Sequence, residues 1–167
     1  MKKSKKLLPI LLLLTLLGIT LTVAQETEDP LEPGDEITIE TLTYELLSET
    51  EATLLGYESD GEEPKHLTIP DAITYEGNSY VISEIAELAF AGSEIMETVT
   101  IGGNIQTIGD YAFSECEALE TIQIPAQVKT IGQGAFSGDE ELTINLQEGS
   151  SYTYENGLLI VNDGDKM

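Results

Sequence analysis

The chain has 167 residues and a formal net charge of −24 at pH 7, with seven Lys and Arg residues against 31 Asp and Glu residues. So acidic a surface repels nucleic-acid phosphates and anionic lipid, which disfavours nucleic-acid binding and membrane-surface functions. We expect the acidic residues to form a solvated coat that keeps the protein monomeric. The single cysteine, Cys116, excludes an internal disulfide, and we expect it to pack as a small apolar group.

Residues 1–24 are predicted to be a signal peptide. Lysines at positions 2, 3, 5 and 6 precede an apolar run that starts at Leu7, and Thr22-Val23-Ala24 provides small residues for cleavage before Gln25. The run from Leu7 to Ala24 is also just long enough for an uncleaved membrane anchor. We expect cleavage, no membrane insertion afterwards, and a secreted or cell-surface protein.

The N-terminal part of the mature chain is predicted to be a spacer followed by a cap. Residues 25–36 are acidic and include two prolines, which indicates a disordered spacer. Residues 37–66 alternate apolar and polar side chains with β-branched residues, which predicts an N-terminal β-hairpin cap. Its predicted strand segments are Ile37–Ile39, Leu42–Leu46 and Ala52–Tyr57, with a turn at Ser48–Glu51.

Residues 67–149 are predicted to form a repeat domain, because a segment of about 23 residues occurs three times in succession within them. The copies span Ile82–Asn104, Ile105–Gln127 and Val128–Gly149. Aligning them produces three apolar columns, which are Ile85/Ile108/Ile131, Ala89/Ala112/Ala135 and Phe90/Phe113/Phe136. A unit this short cannot bury its own apolar face, so the columns predict a solenoid in which neighbouring coils share one core.

Each unit combines two apolar periods. Leu119–Ile124 has the alternation of a strand, whereas Ile105–Cys116 has the i, i+3, i+7, i+8, i+11 spacing that predicts a short helical segment. His66–Ile73 resembles the strand of the repeat and predicts a partial preceding unit. Thr74–Val81 is then an inserted hairpin centred on Gly77-Asn78.

The third unit and the C-terminal region depart from this pattern. Leu142–Leu146 is one residue shorter than its counterpart, so we expect regular stacking to end there. Residues 150–167 are predicted to form a C-terminal hairpin from Tyr152–Tyr154 and Leu158–Val161. The following turn, Asn162–Asp165, has no strand after it, which suggests a truncated product or a fragment of a longer array.

The repeat resembles a known family. The unit Ile105–Pro125, with its Ile-Gly, Ala-Phe, Cys, Leu and Ile-Pro positions, is similar to the BspA-like class of leucine-rich repeat. The likeness extends over residues 37 to 165, with minor departures at Ala86, Ser93 and Asp139. The resemblance implies an α/β repeat fold, mostly β: a right-handed leucine-rich-repeat solenoid of about three 23-residue coils with β-hairpin caps. It also implies a secreted or surface-displayed bacterial protein that binds other proteins, sometimes host extracellular-matrix or cell-surface components, and it carries no catalytic residue.

The residues give little support to an enzyme. The one histidine, His66, lies two units away from Cys116, and no metalloprotease, phosphate-loop or nucleophile-elbow motif is present. We therefore expect no catalytic residues, no cofactor and no metal. The acidic turns Asp60–Glu63 and Asn162–Asp165 could hold Ca²⁺ weakly, but neither matches a twelve-residue calcium loop.

The predicted strands present polar residues on either side of a buried one. The ligand-contact candidates are Thr68, Thr98, Thr100, Thr121, Gln123, Thr143 and Asn145. These groups are neutral hydrogen-bonding side chains in a chain rich in carboxylates, although threonine is also simply a good exposed strand residue. A threonine ladder can also indicate ice binding, but Gln123 and Asn145 break it.

The function predicted from these features is binding of a protein or glycan partner by the sheet face and its bordering loops, as in adhesion. The alternative is a structural spacer, or a remnant of a longer adhesin with no ligand of its own.

Overall fold

A computed structural model of the protein describes residues 4–6, 31–58, 63–139, 141–155 and 158–161. In these ranges the chain forms 14 strands and no helix, so the fold is mostly β. The strands are β1 (Ser4–Lys6), β2 (Glu36–Ile39), β3 (Leu42–Leu46), β4 (Glu51–Tyr57), β5 (His66–Thr68), β6 (Ala72–Tyr75), β7 (Asn78–Ile85), β8 (Thr98–Thr100), β9 (Thr107–Ile108), β10 (Thr121–Ile124), β11 (Thr130–Ile131), β12 (Thr143–Leu146), β13 (Tyr152–Glu155) and β14 (Leu158–Val161).

Four of the strands form a parallel sheet in the order β12-β10-β8-β5, which we call the repeat sheet. Val99 of β8 pairs with Ile122 of β10, its equivalent in the next repeat, and Ile122 pairs in turn with Ile144 of β12. The predicted partial unit is present, because β5 pairs with β8 along its whole length.

In the described part of the chain, the repeat sheet ends with β12, the strand of the third unit, as expected. All four residues of β12 pair in register with β10, although the offset along the chain is one residue shorter than that between β8 and β10. The residue that is missing is the counterpart of Glu120, which directly precedes β10. Because the loss lies before the strand, it leaves the strand register unchanged.

A second sheet has the order β1-β2-β3-β4-β7-β9-β11, and β6 pairs with β7 off this path. The predicted hairpin of β3 and β4 is confirmed as an antiparallel pair, and β2 adds to it. Strands β4, β7, β9 and β11 then run parallel, so the N-terminal strands continue the repeat rather than stand apart. Strand β1, whose residues fall within the predicted signal peptide, pairs with β2.

The insertion before the first full repeat is the β6–β7 hairpin. Its central turn residues are Glu76 and Gly77, both with positive φ, at 50° and 83°. The predicted centre at Gly77-Asn78 was therefore one residue too late. Positive φ at both central positions is the backbone of a type I′ hairpin turn, which matches the twist of the flanking strands.

The predicted helical segment between Ile105 and Cys116 was wrong. Residues 110–115 form tight turns after β9, and alternate N–H groups of this segment bond to the following repeat. The N–H groups of Tyr111, Phe113 and Glu115 donate to carbonyls of the following repeat, at 3.0, 2.9 and 2.7 Å. A helix would direct the same N–H groups to carbonyls four residues earlier.

These turns require a left-handed backbone at two positions in each of the second and third repeats. Tyr111 and Glu115 have φ of 55° and 56°, and the equivalent residues of the third repeat are Gly134 and Gly138, with φ of 63° and 94°. Side chains disfavour this conformation. Gly134 and Gly138 therefore indicate, from sequence alone, that these two positions need a left-handed backbone. Tyr111 and Glu115 at the same positions give no such indication.

The predicted apolar columns form the core. Phe90, Phe113 and Phe136 stack in sequence with ring centroids 5.2 and 5.9 Å apart, and Tyr57 meets Phe90 edge-on at 4.9 Å. Phe113 is fully buried, whereas Phe136 in the last full repeat is only partly buried. Cys116 is buried as expected, and its Sγ donates to the Phe90 carbonyl at 3.2 Å.

The C-terminal hairpin of β13 and β14 is also confirmed. The hydroxyl of Tyr152 accepts the Ile131 N–H and donates to the Lys129 carbonyl, so it covers backbone groups at the end of the second sheet. Of the predicted disordered spacer 25–36, residues 25–30 lie outside the described residues, as do the turn at 162–165 and most of Asp60–Glu63. The remainder of the spacer is ordered, contrary to the prediction, because Leu31 packs against the core and the Gly34 N–H donates to the Leu46 carbonyl.

Asp139 occupies the position of Cys116 in the third repeat. Its Oδ1 accepts the Cys116 N–H at 2.8 Å, but its Oδ2 is buried and has no hydrogen-bond partner among the described residues. Burial raises the pKa of this carboxyl to about 6, although the bond from Cys116 acts in the opposite direction.

Replacement of the central phenylalanine should destabilise the protein more than replacement of the terminal one. We expect Phe113→Ala to lower the free energy of unfolding by about 3–5 kcal/mol, because it removes a fully buried ring with a stacking partner on each side. Phe136→Ala should cost about half as much. Urea denaturation followed by circular dichroism measures both values, and equal losses would contradict the packing described here.

Asp139→Asn should stabilise the protein at neutral pH. An acid whose folded pKa lies above its unfolded value of 3.8 binds more protons when folded, so its contribution to stability falls as pH rises from about 4 to about 6. The amide keeps an acceptor for Cys116 without the charge. We expect a gain of about 1 kcal/mol at pH 7.5, allowing for solvent screening of this partly exposed group, and no gain at pH 3.5. A difference between variant and wild type that does not change with pH would refute this.

Candidate functional site

The candidate site is the exposed face of the repeat sheet, which we call the sheet face. Parallel pairing in register places residues of the four strands side by side in rows. The first row contains His66, Thr98, Thr121 and Thr143, and the third contains Thr68, Thr100, Gln123 and Asn145. The structure therefore brings all seven predicted candidates together on one face. His66 lies on the same face, in the first row.

The middle row explains why the outer rows face solvent. Leu67, Val99, Ile122 and Ile144 are buried, and strand alternation directs the residues on either side of them outward. Of the candidates, Thr98 and Thr121 are half-buried and the other five are exposed. Adjacent strands lie about 4.8 Å apart, so each row offers hydroxyl or amide groups at that spacing.

Charged side chains lie at one end of the sheet face. Lys65, just before β5, forms an ion pair with Glu97, just before β8. The bond from Lys65 and its positive charge lower the pKa of Glu97, and Glu97 raises the pKa of Lys65. Next to this pair, His66 Nδ1 and Thr98 Oγ1 share a hydrogen bond of 3.0 Å.

The two residues considered for nucleophilic chemistry have other partners. Burial raises the pKa of the Cys116 thiol to about 11, which is the opposite of the shift that a reactive thiolate needs. His66 is exposed and bonded to Thr98. In the described ranges, no three His, Cys, Asp or Glu side chains lie close enough together to hold a metal ion.

A groove borders the sheet face and was not predicted from the sequence. It has a volume of about 470 Å³ and lies between the end strand β12 and the C-terminal hairpin strand β13. Asn145 lines both the groove and the sheet face. Tyr154 positions the hairpin here, because its hydroxyl donates to the Leu142 carbonyl at 3.0 Å. The sequence around Tyr152 and Tyr154 has the alternation of a strand, but it does not indicate that this strand lies beside β12.

Comparison with protein families gives a specific result. Residues 65–158, more than half of the chain, match six copies of the BspA type leucine rich repeat region. The chain belongs to this family. The match includes every predicted sheet-face residue from His66 to Asn145. No curated protein matches the chain.

Two longer solved structures resemble this repeat protein. A leucine rich cell surface protein from Faecalibacterium prausnitzii A2-165 is 25% identical, with a TM-score of 0.60 over 71% of this chain and 32% of that one. A leucine-rich repeat protein from Bacteroides ovatus ATCC 8483 is 32% identical, with a TM-score of 0.61 over 68% of this chain and 30% of that one. The chain thus spans about a third of the length of these two relatives.

A shorter structure also resembles the repeat protein. A leucine-rich repeat protein from Bacteroides capillosus ATCC 29799 is 26% identical, with a TM-score of 0.50 over 67% of this chain and 98% of that one. In the part of this chain that the structure describes, no helix could serve as a membrane span.

The sheet face should tolerate substitution where the row beneath it does not. We expect Gln123→Ala to change the free energy of unfolding by less than about 0.5 kcal/mol, because the side chain is exposed. Ile122→Ala, one residue earlier and fully buried, should cost about 2–5 kcal/mol. Thermal and urea denaturation test the pair. A large cost for Gln123→Ala would mean that the row serves packing instead of being available to a ligand.

Proposed function

We propose that the protein is a secreted or surface-exposed leucine-rich repeat protein that binds a protein or glycan partner through the sheet face. The observation that carries the proposal is the pair of neutral polar rows that run across all four strands of the repeat sheet. Family membership and the likeness to a bacterial cell surface protein support the cellular setting.

The architecture that we propose for this role is a right-handed solenoid. About three 23-residue coils stack on a partial first coil, and hairpins cap the two ends. Parallel pairing between equivalent residues of successive repeats supports stacking in both sheets. The signal peptide at residues 1–24 remains part of the proposal, as does a monomeric secreted form.

The chemistry of the rows favours a ligand rich in hydroxyl or amide groups. Threonine hydroxyls and the amides of Gln123 and Asn145 can each donate and accept hydrogen bonds. Such groups are suited to sugar hydroxyls and to polar protein surfaces. The negative charge of the chain disfavours sulfated or phosphorylated ligands. A neutral glycan or a neutral-to-basic protein of the host matrix or cell surface fits these conditions.

Binding should be lost when negative charge is placed in the rows. Purified protein is screened against extracellular-matrix proteins and host-cell glycans, and each hit is measured again with Thr98→Glu, Thr121→Glu and Gln123→Glu combined. We expect the affinity to fall by about tenfold or more, because three carboxylates replace groups that donate hydrogen bonds.

A matched control carries the same added charge away from the sheet face. Gln106→Glu, Gln133→Glu and Ser137→Glu combined alter exposed residues next to the second sheet and its turns, and should leave the affinity within about threefold of wild type. Equal losses in both variants would indicate a general charge effect. If no ligand is found, or if both variants bind with the affinity of wild type, the results would favour a role as a structural spacer.

A further inference from the structure

The end strand of the repeat sheet has an unpaired edge. The N–H groups of Thr143 and Gln147 donate to the carbonyls of Glu120, just before the neighbouring strand β10, and of Ile124, at its end, at 2.9 and 3.0 Å. Because backbone groups alternate in direction along a strand, those of Ile144 and Leu146 point away from β10. No strand in the described part of the chain pairs with β12 on that side. An exposed edge of this kind is a template for another strand.

The C-terminal hairpin lies beside this edge but does not pair with it as a strand. The Tyr154 hydroxyl donates to the Leu142 carbonyl, while the Tyr152 hydroxyl is bonded at the end of the other sheet. The two tyrosines hold β13 beside β12 without pairing the strands. The groove lies between β12 and β13, and its volume of about 470 Å³ is within the size range of ligand pockets.

The charge around the edge is negative. Glu155 lines the groove, and none of the residues that line it is Lys, Arg or His. Glu141 and Glu148 lie just before and just after β12, and all three carboxylates belong to exposed residues. A positively charged segment would therefore be attracted to this edge, whereas a second copy of so acidic a chain would be repelled.

We propose that β12 binds an extended, basic segment of a partner protein as a fifth strand of the repeat sheet. The segment bonds to the outward N–H and C=O groups of Ile144 and Leu146, and its alternate side chains enter the groove. Its Lys or Arg residues pair with the surrounding carboxylates. This mode of recognition is strand addition, in which main-chain bonds provide affinity and the groove provides specificity. It goes beyond the proposed function, because it uses the edge of the repeat sheet rather than its face and fixes the conformation and charge of the segment.

Leu146→Pro provides a sharp test. Proline lacks an N–H, and at position 146 the missing group points away from β10, so the bonds between β12 and β10 remain. Leu146→Ala is the matched control, since it also removes the leucine side chain but keeps the N–H. The probe is a fluorescein-labelled peptide, Lys-Thr-Val-Lys-Ile-Lys-Thr, and its affinity for the purified full chain is measured by fluorescence anisotropy.

We expect the proline variant to bind the peptide about tenfold more weakly than the alanine variant, because one main-chain hydrogen bond and the approach of the strand are lost. A peptide with Glu in place of each Lys should not bind measurably. Hydrogen exchange followed by NMR gives an independent readout. The Ile144 and Leu146 amides should exchange fast in the free protein and at least about tenfold more slowly with saturating peptide, whereas the Thr143 amide is protected in both.

Several results would overturn the proposal. Absence of peptide binding would do so, as would equal affinities for the proline and alanine variants. Slow exchange of Ile144 and Leu146 before peptide is added would mean that the edge is already covered. Light scattering then distinguishes a second copy, which gives a dimer, from another part of the same chain, which gives a monomer. The assay alters no sheet-face row residue, so its failure is distinguishable from failure of the proposed function.

Discussion

Backbone hydrogen bonds between residues one repeat apart are the interaction on which the molecule depends. They pair the strands of the repeat sheet, and they also link the turns on the other side of each repeat, where N–H groups such as that of Phe113 donate to the next repeat. Each repeat thus satisfies its polar backbone through its neighbours. Because a buried N–H without a partner is costly, the repeats are stable only when they stack.

The backbone hydrogen bonds between repeats determine where the side chains lie and which backbone conformations the turns adopt. Rings from successive repeats lie face to face, and the left-handed turn positions are required even where the residue is Tyr111 or Glu115. The ends of the stack are where this arrangement has to stop. Antiparallel strands continue one sheet at the N-terminal end, and tyrosine hydroxyls cover backbone groups at the other end. Among the described residues, the outer edges of β12 and β5 in the repeat sheet have no paired strand.

Much of the fold could be predicted from the sequence, and the exceptions have physical causes. The rows of the sheet face follow from strand alternation combined with a nearly constant repeat length, so the seven candidates were placed together correctly. The helical segment was wrong because an arc of tight turns can bury the same i, i+3, i+7, i+8 positions as a helix. The groove beside β12 was missed because it depends on where the hairpin packs, which no local pattern records. The ligand depends on a partner's chemistry, and core columns such as that of Phe113 contain no information about it.

Measurement of scalar couplings across hydrogen bonds by NMR tests the central claim most directly. Each such coupling identifies the donor nitrogen and the acceptor carbonyl of one bond. The structure predicts couplings from the Phe90 nitrogen to the Ala112 carbonyl and from the Phe113 nitrogen to the Ala135 carbonyl. A coupling from the Phe113 nitrogen to the Gly109 carbonyl, four residues earlier, would indicate a helix within the repeat and would contradict the account.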